Sequence, residues 1–227
     1  MSGGTASRHS EDATPMKSFL NGTTLFFGLI ATTPFLIGLV GALAEGVGFL
    51  LFILAIPIMP LVLLLGFGVA LARGLGHARA LDRMRDRAIV ILAPAVLLAL
   101  TITVAWPMLY AGRVSGTFAR LILNREHYAE IIAKVQRHPT PANHEEDGGV
   151  TYSVDVGPPV RVAFNPAGFL DNWSGIIFDP TGIVMEARGF DPVTGDFHAP
   201  DHVTKLFGGD LVGCRHLMGH YYACSFT

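Results

Sequence analysis

The chain has 227 residues, 51% of them hydrophobic and 15% charged, with a mean hydropathy of +0.46 and a formal net charge of −2. Soluble globular domains carry about 25% charged residues, and the deficit here is local: between Leu20 and Ala72 the only charge is Glu45. Residues 1–110 hold seven Lys/Arg against five Asp/Glu and residues 111–227 nine against thirteen, so no basic face is available and no nucleic-acid partner is expected.

Residues 1–18 are small, polar and without periodicity, which predicts a disordered cytoplasmic head. Three apolar runs follow, at about 19–44, 47–72 and 88–110. Each exceeds the roughly 18 residues at which a membrane-spanning helix becomes the default. Pro34, Pro57, Pro60, Pro94 and Pro107 are compatible with spanning helices, because neighbouring helices re-satisfy the backbone groups a proline frees. Glu45-Gly46 leaves room only for a tight turn between the first two. Ala42-Leu43-Ala44 also fits a signal-peptide cleavage pattern, but the run is longer and the head is longer than such a peptide has. The region 19–112 is therefore read as a three-helix membrane domain.

The 73–87 segment, RGLGHARALDRMRDR, carries Arg73, Arg79, Arg83, Arg85 and Arg87. Basic residues flanking spans are retained on the cytoplasmic side, so these arginines, with Arg8 and Lys17, act as a topology signal. They place the N-terminus on the cytoplasmic side and the chain after Tyr110 outside; the Ala/Gly/Leu/Arg-rich composition points to a bacterial-type inner membrane, with that outer part in the periplasm. Arg79, Arg83 and Arg87 would form one stripe if the segment were helical, facing lipid headgroups; a pure topology signal is the plainer reading. No Asp, Glu, Lys, Arg or His lies inside the runs, which argues against an ion path. Thr32, Thr33, Thr101 and Thr103 are expected to bond their own helix backbone. Gly38, Ala42, Gly66 and Ala70 permit close helix contact, within the chain's own bundle rather than in a dimer.

Residues 113–227 read as a periplasmic α+β domain. Over 115–136 the apolar residues Phe118, Leu121, Ile122, Tyr128, Ile131, Ile132 and Val135 recur at three- and four-residue steps, giving an amphipathic helix that continues or closely follows the third span. Residues 138–149 are expected to be loop. Strands are expected at 150–156, 160–164, 175–178, 183–187, 211–217 and 221–226, a sheet of about six antiparallel strands under one helix. Asp179-Pro180-Thr181-Gly182 is the predicted turn between the third and fourth strands. With a three-residue turn at 218–220, Cys214 faces Cys224, close enough for a disulfide in an oxidising exterior. Pilin heads and cystatin-like domains share this element order, a likeness that assigns no function.

The candidate chemistry is sparse. His198 and His202 are four apart, as are His216 and His220, and zinc needs three or four ligands converging at about 2 Å. The first pair flanks Pro200 and the second straddles a turn, so neither is helical, and no cofactor other than zinc comes into question. Asp171, Asn172 and Trp173 form a polar and aromatic group that serves either as a binding lip or as core plus turn cap; core is the plainer reading. No nucleophile elbow or phosphate loop is present. The expected function is therefore non-enzymatic: a membrane-anchored accessory subunit or binding module, with the lipid bilayer and a protein as partners. The alternative is a tethered periplasmic hydrolase or metal-binding protein using the four histidines.

Overall fold

The computed structural model describes residues 13–44, 47–169 and 172–227. The Glu45-Gly46 turn, Asp171 and most of the head therefore lie outside the described residues. The chain forms two compact units, Met1–Gly116 and Thr117–Thr227.

The first unit contains α1 (Ala13–Leu43), α2 (Val47–Ala80) and the start of α3 (Met84–Arg137). Three stretches, Met16–Leu43, Leu50–Ala80 and Met84–Arg137, are long and apolar enough to cross a membrane. Leucines such as Leu25, Leu29, Leu64, Leu65 and Leu100 are exposed along them, a surface suited to hydrocarbon. The five prolines lie inside helices without ending them. Each of Thr32, Thr33, Thr101 and Thr103 donates to a carbonyl three or four residues back, as expected. Glycines bring backbones together: a Cβ on Gly38 would overlap the Leu109 carbonyl oxygen, and one on Gly112 that of Phe35. Gly66 lies under the Phe26 ring. The small residues thus pack this chain's own helices.

Two helix boundaries differ from expectation. α1 begins at Ala13, inside the head, and α2 continues to Ala80, through Arg73 and Arg79. The break between α2 and α3 is only Leu81–Arg83. Arg79 and Arg87 therefore stand on different helices, and the single arginine stripe does not form. Arg87 Nε instead donates to the Leu81 carbonyl, satisfying one of the carbonyls that a helix C-terminus leaves free. The amphipathic stretch continues the third span, as one of the two expected arrangements has it, because α3 runs unbroken to Arg137.

The second unit is a seven-stranded antiparallel sheet in the order β1-β2-β3-β4-β7-β6-β5. The strands are β1 (Ala142–Asp147), β2 (Val150–Asp155), β3 (Arg161–Phe169), β4 (Asn172–Phe178), β5 (Lys205–Leu206), β6 (Gly209–Met218) and β7 (Tyr221–Phe226). Alternation along the strands divides the core by sheet face. Val162, Phe164 and Ile176 pack with Leu121, Tyr128, Ile131 and Val135 of α3. Ala163, Ile177, Leu211, Tyr222 and Phe226 pack on the other side with Val184, Val203 and Leu206. Tyr128 anchors the first layer: its ring stacks on Phe164 at 4.1 Å and its hydroxyl accepts from Asn165 Nδ2 at 2.9 Å.

Three strand expectations are corrected. The 138–149 loop contains β1, an edge strand whose side chains are mostly exposed. Its hairpin with β2 turns on Gly148 (φ 57°) and Gly149 (φ 81°), the double positive φ that a tight two-residue hairpin needs. His127 Nε2 donates to the Asp147 carbonyl at 2.8 Å and Lys134 pairs with the Asp147 carboxylate at 2.9 Å, tying this hairpin to α3. Second, 183–187 is not a strand: Ile183–Glu186 is a single 3-10 turn. Gly182 there adopts φ 76°, and the Asp179 carboxylate takes the Val184 N–H at 3.2 Å, winding the chain instead of returning it. β4 pairs with β3 and β7 in its place. Third, the β6–β7 turn is two residues, Gly219-His220, with a bulge between His216 and Met218. The expected register holds beyond the bulge, with Cys214 opposite Cys224.

Candidate functional site

Cys214 and Cys224 form a disulfide across β6 and β7, their Cα atoms 4.1 Å apart. The histidines do not converge. His198 lies in the connection before α4 (Asp201–Thr204), and His202 is exposed on that single turn. His216 Nε2 is 2.9 Å from the Gly219 carbonyl, and the His220 ring meets Phe178 edge-on at 6.1 Å. Among the described residues, no group of three His, Cys, Asp or Glu is placed to hold a metal. Asn172 is exposed at the start of β4, whereas Trp173 stacks on Phe226 at 4.0 Å with its ring edge toward Phe207. The indole belongs to the second core layer.

The buried ionic pair was not singled out by sequence. Arg161 and Asp179 are 2% and 0% exposed, with Arg161 Nε 3.2 Å from Asp179 Oδ1. Burial alone would raise the Asp179 pKa. Hydrogen bonds from the Thr181 hydroxyl and N–H and from the Val184 N–H, with the Arg161 charge, outweigh it and hold the carboxyl below its usual range. A carboxylate so satisfied is kept ionised, and its enclosure leaves no room for a substrate. The pair organises the turn after β4.

The exposed feature is the hairpin over residues 188–198. Arg188 N–H donates to the His198 carbonyl at 2.7 Å and His198 N–H to the Gly189 carbonyl at 3.0 Å. Further out, Phe190 bridges Phe197, with ring centroids 5.0 Å apart. Asp191 builds the tip: its carboxylate accepts the Val193 N–H at 2.8 Å and its carbonyl the Gly195 N–H at 2.9 Å. The Val193 and Thr194 N–H groups hold the Asp191 carboxyl below its usual pKa. At the base, Arg188 bridges Gly213, beside the disulfide.

This fixed backbone carries apolar side chains into solvent. Val193 is 90% exposed and Phe190 49%; Met185, on the preceding 3-10 turn, is 44% exposed. Among the described residues of the second unit, the other exposed large apolar side chains are Phe118, Ile122 and Leu123 of α3. No family model, curated protein or solved structure matches this chain. The element order shared with pilin heads and cystatin-like domains therefore carries no argument, and the reading of function rests on the hairpin's geometry. The sequence does show Asp191-Pro192 and Thr194-Gly195 as turns. That they close one hairpin with an apolar tip depends on contacts between residues ten apart.

Proposed function

We propose that the protein is a multi-span inner-membrane protein whose Thr117–Thr227 unit serves, on the periplasmic side, as the binding module of a cell-envelope assembly. The observation that carries this reading is the apolar tip of the 188–198 hairpin. A side chain such as Val193, exposed on a backbone held by its own hydrogen bonds, is preorganised for burial against a partner and loses little entropy on binding. Exposed apolar groups clustered on a rigid element are a usual mark of an interaction surface. The orientation is supported by the five arginines at and around the α2–α3 break. The paired cysteines add to it, since such bonds persist in oxidising compartments.

The test is site-specific photocrosslinking of the full-length protein in its native membrane. A photoreactive residue at position 193 is expected to give one discrete adduct with a protein, lost when Phe190 is replaced by serine. The same probe at Glu186, exposed but outside the hairpin, is expected to give none. Equal labelling from both positions, or no protein adduct from 193, would overturn the proposal.

A further inference from the structure

We infer that the groove between α1 and α2 binds one anionic phospholipid, its acyl chain against the helices and its phosphate at Arg73. The groove has a volume of about 810 Å³. Its walls are Phe19, Phe26, Val62, Leu65 and Val69, and its polar end holds Ser18, Arg73 and His77. This inference goes beyond the interaction reading and does not depend on it; it requires only that the helices lie in a bilayer.

Missing side chains create the space. A Cβ on Gly22 would meet nothing within 4 Å, and Phe26 lies down on Gly66, where any side chain would collide with its ring. Thr23, also in the wall, spends its hydroxyl on the Phe19 carbonyl at 2.9 Å, so the long part of the groove offers hydrocarbon only. The polar end differs. Arg73 follows the last residue of the second apolar run, the level at which lipid headgroups begin. His77 stands one turn on, its Nδ1 2.9 Å from the Arg73 carbonyl and its ring 5.2 Å from that of Phe19. That bond uses Nδ1 as donor, so the neutral ring presents Nε2 only as an acceptor, and the Arg73 guanidinium is the group that donates to a phosphate. Among the described residues no Asp or Glu lines the groove, and Arg73 supplies a positive charge at its polar end. A zwitterionic headgroup would bring its own cation to that end, whereas an anionic one brings only the phosphate the arginine complements.

Native mass spectrometry of the full-length protein, released from mild detergent, tests this with dioleoyl phosphatidylglycerol against dioleoyl phosphatidylcholine. The wild type is expected to retain one phosphatidylglycerol in preference. Arg73→Gln should cut the preference about fivefold, the equivalent of one basic side chain near an anionic headgroup. Gly22→Leu, which fills the groove, should lower retention of both lipids. Arg79→Gln removes a charge from the same helix outside the groove and should leave the preference intact. Equal retention of the two lipids by wild type would overturn the inference, as would equal losses from Arg73→Gln and Arg79→Gln. Displacement of the lipid by inorganic phosphate alone would also overturn it, since the walls would then contribute nothing. If Gly22→Leu loses its helical circular dichroism, the two arginine variants decide the matter.

Discussion

Asp179 illustrates how a buried carboxylate is kept charged by donors of several kinds. Replacing it with alanine leaves Arg161 buried and unpaired and strips the Thr181 and Val184 N–H groups of their acceptor. The expected loss is about 3–5 kcal/mol, the usual consequence of breaking a buried pair from one side, measured by denaturant unfolding. Arg161→Met should cost less, because the carboxylate keeps its hydroxyl and N–H donors, and because Arg161 Nη2 is buried without a partner among the described residues. The sign of the pH effect follows. The folded-state pKa of Asp179 is lowered, so its contribution is complete above the unfolded value of about 3.9 and is lost as pH falls through the folded value. The acid limb of the unfolding profile below about pH 4 should therefore flatten in Asp179→Asn.

At the scale of elements, the β1–β2 hairpin depends on a histidine. The His127 pKa is raised, first by its bond to the Asp147 carbonyl and further by the Glu130 and Asp147 carboxylates, against a desolvation that lowers it. A raised pKa gives stability that is complete below about pH 6.5 and lost as pH rises through the folded value. Amide exchange in β1, corrected for intrinsic rate, should accelerate across neutral pH, and His127→Gln should abolish that dependence. The disulfide makes a second element-scale prediction. Its cysteines are 10 apart, so reduction should cost about 2–3 kcal/mol in the chain-entropy model, visible as a lower unfolding midpoint with dithiothreitol. The legibility of these elements in sequence tracks how local their causes are. The pairing of Cys214 with Cys224 was readable because strand alternation and one turn determine it. β1 was not, because Ala142-Asn143-His144-Glu145-Glu146-Asp147 has no apolar alternation; an edge strand is held by backbone pairing, and Gly148-Gly149 was its only signal. Ile183, Met185 and Ala187 mimic a strand, yet the Asp179 carboxylate captures the Val184 N–H and a 3-10 turn results.

For the molecule as a whole, three apolar helices and a sheet clad on both faces restrict where anything can bind. α3 covers one face of the sheet and residues 183–206 the other, leaving the second unit only strand edges and loop tips. The apolar runs announced the helices by length alone, whereas the hairpin tip was hidden, because exposure depends on what fails to cover a residue. Val193→Asp should weaken partner capture by tenfold or more, the scale of an interface hot spot. It should leave the thermal midpoint unchanged, because Val193 makes no buried contact to lose.

The strand order also sets a timetable for synthesis. β7 lies between β4 and β6, although in chain order it is the last strand. Until Phe226 has emerged, β4 has an unpaired edge, and Ile177 lacks its neighbour Tyr222. At roughly 5–20 residues per second, the interval between making β4 and making β7 lasts several seconds. Throughout it a half-built sheet stands with one flank open. A nascent chain in that state is a natural client for a holdase, and ribosome-stalled chains ending before Tyr221 should be degraded far faster than those extending past Thr227.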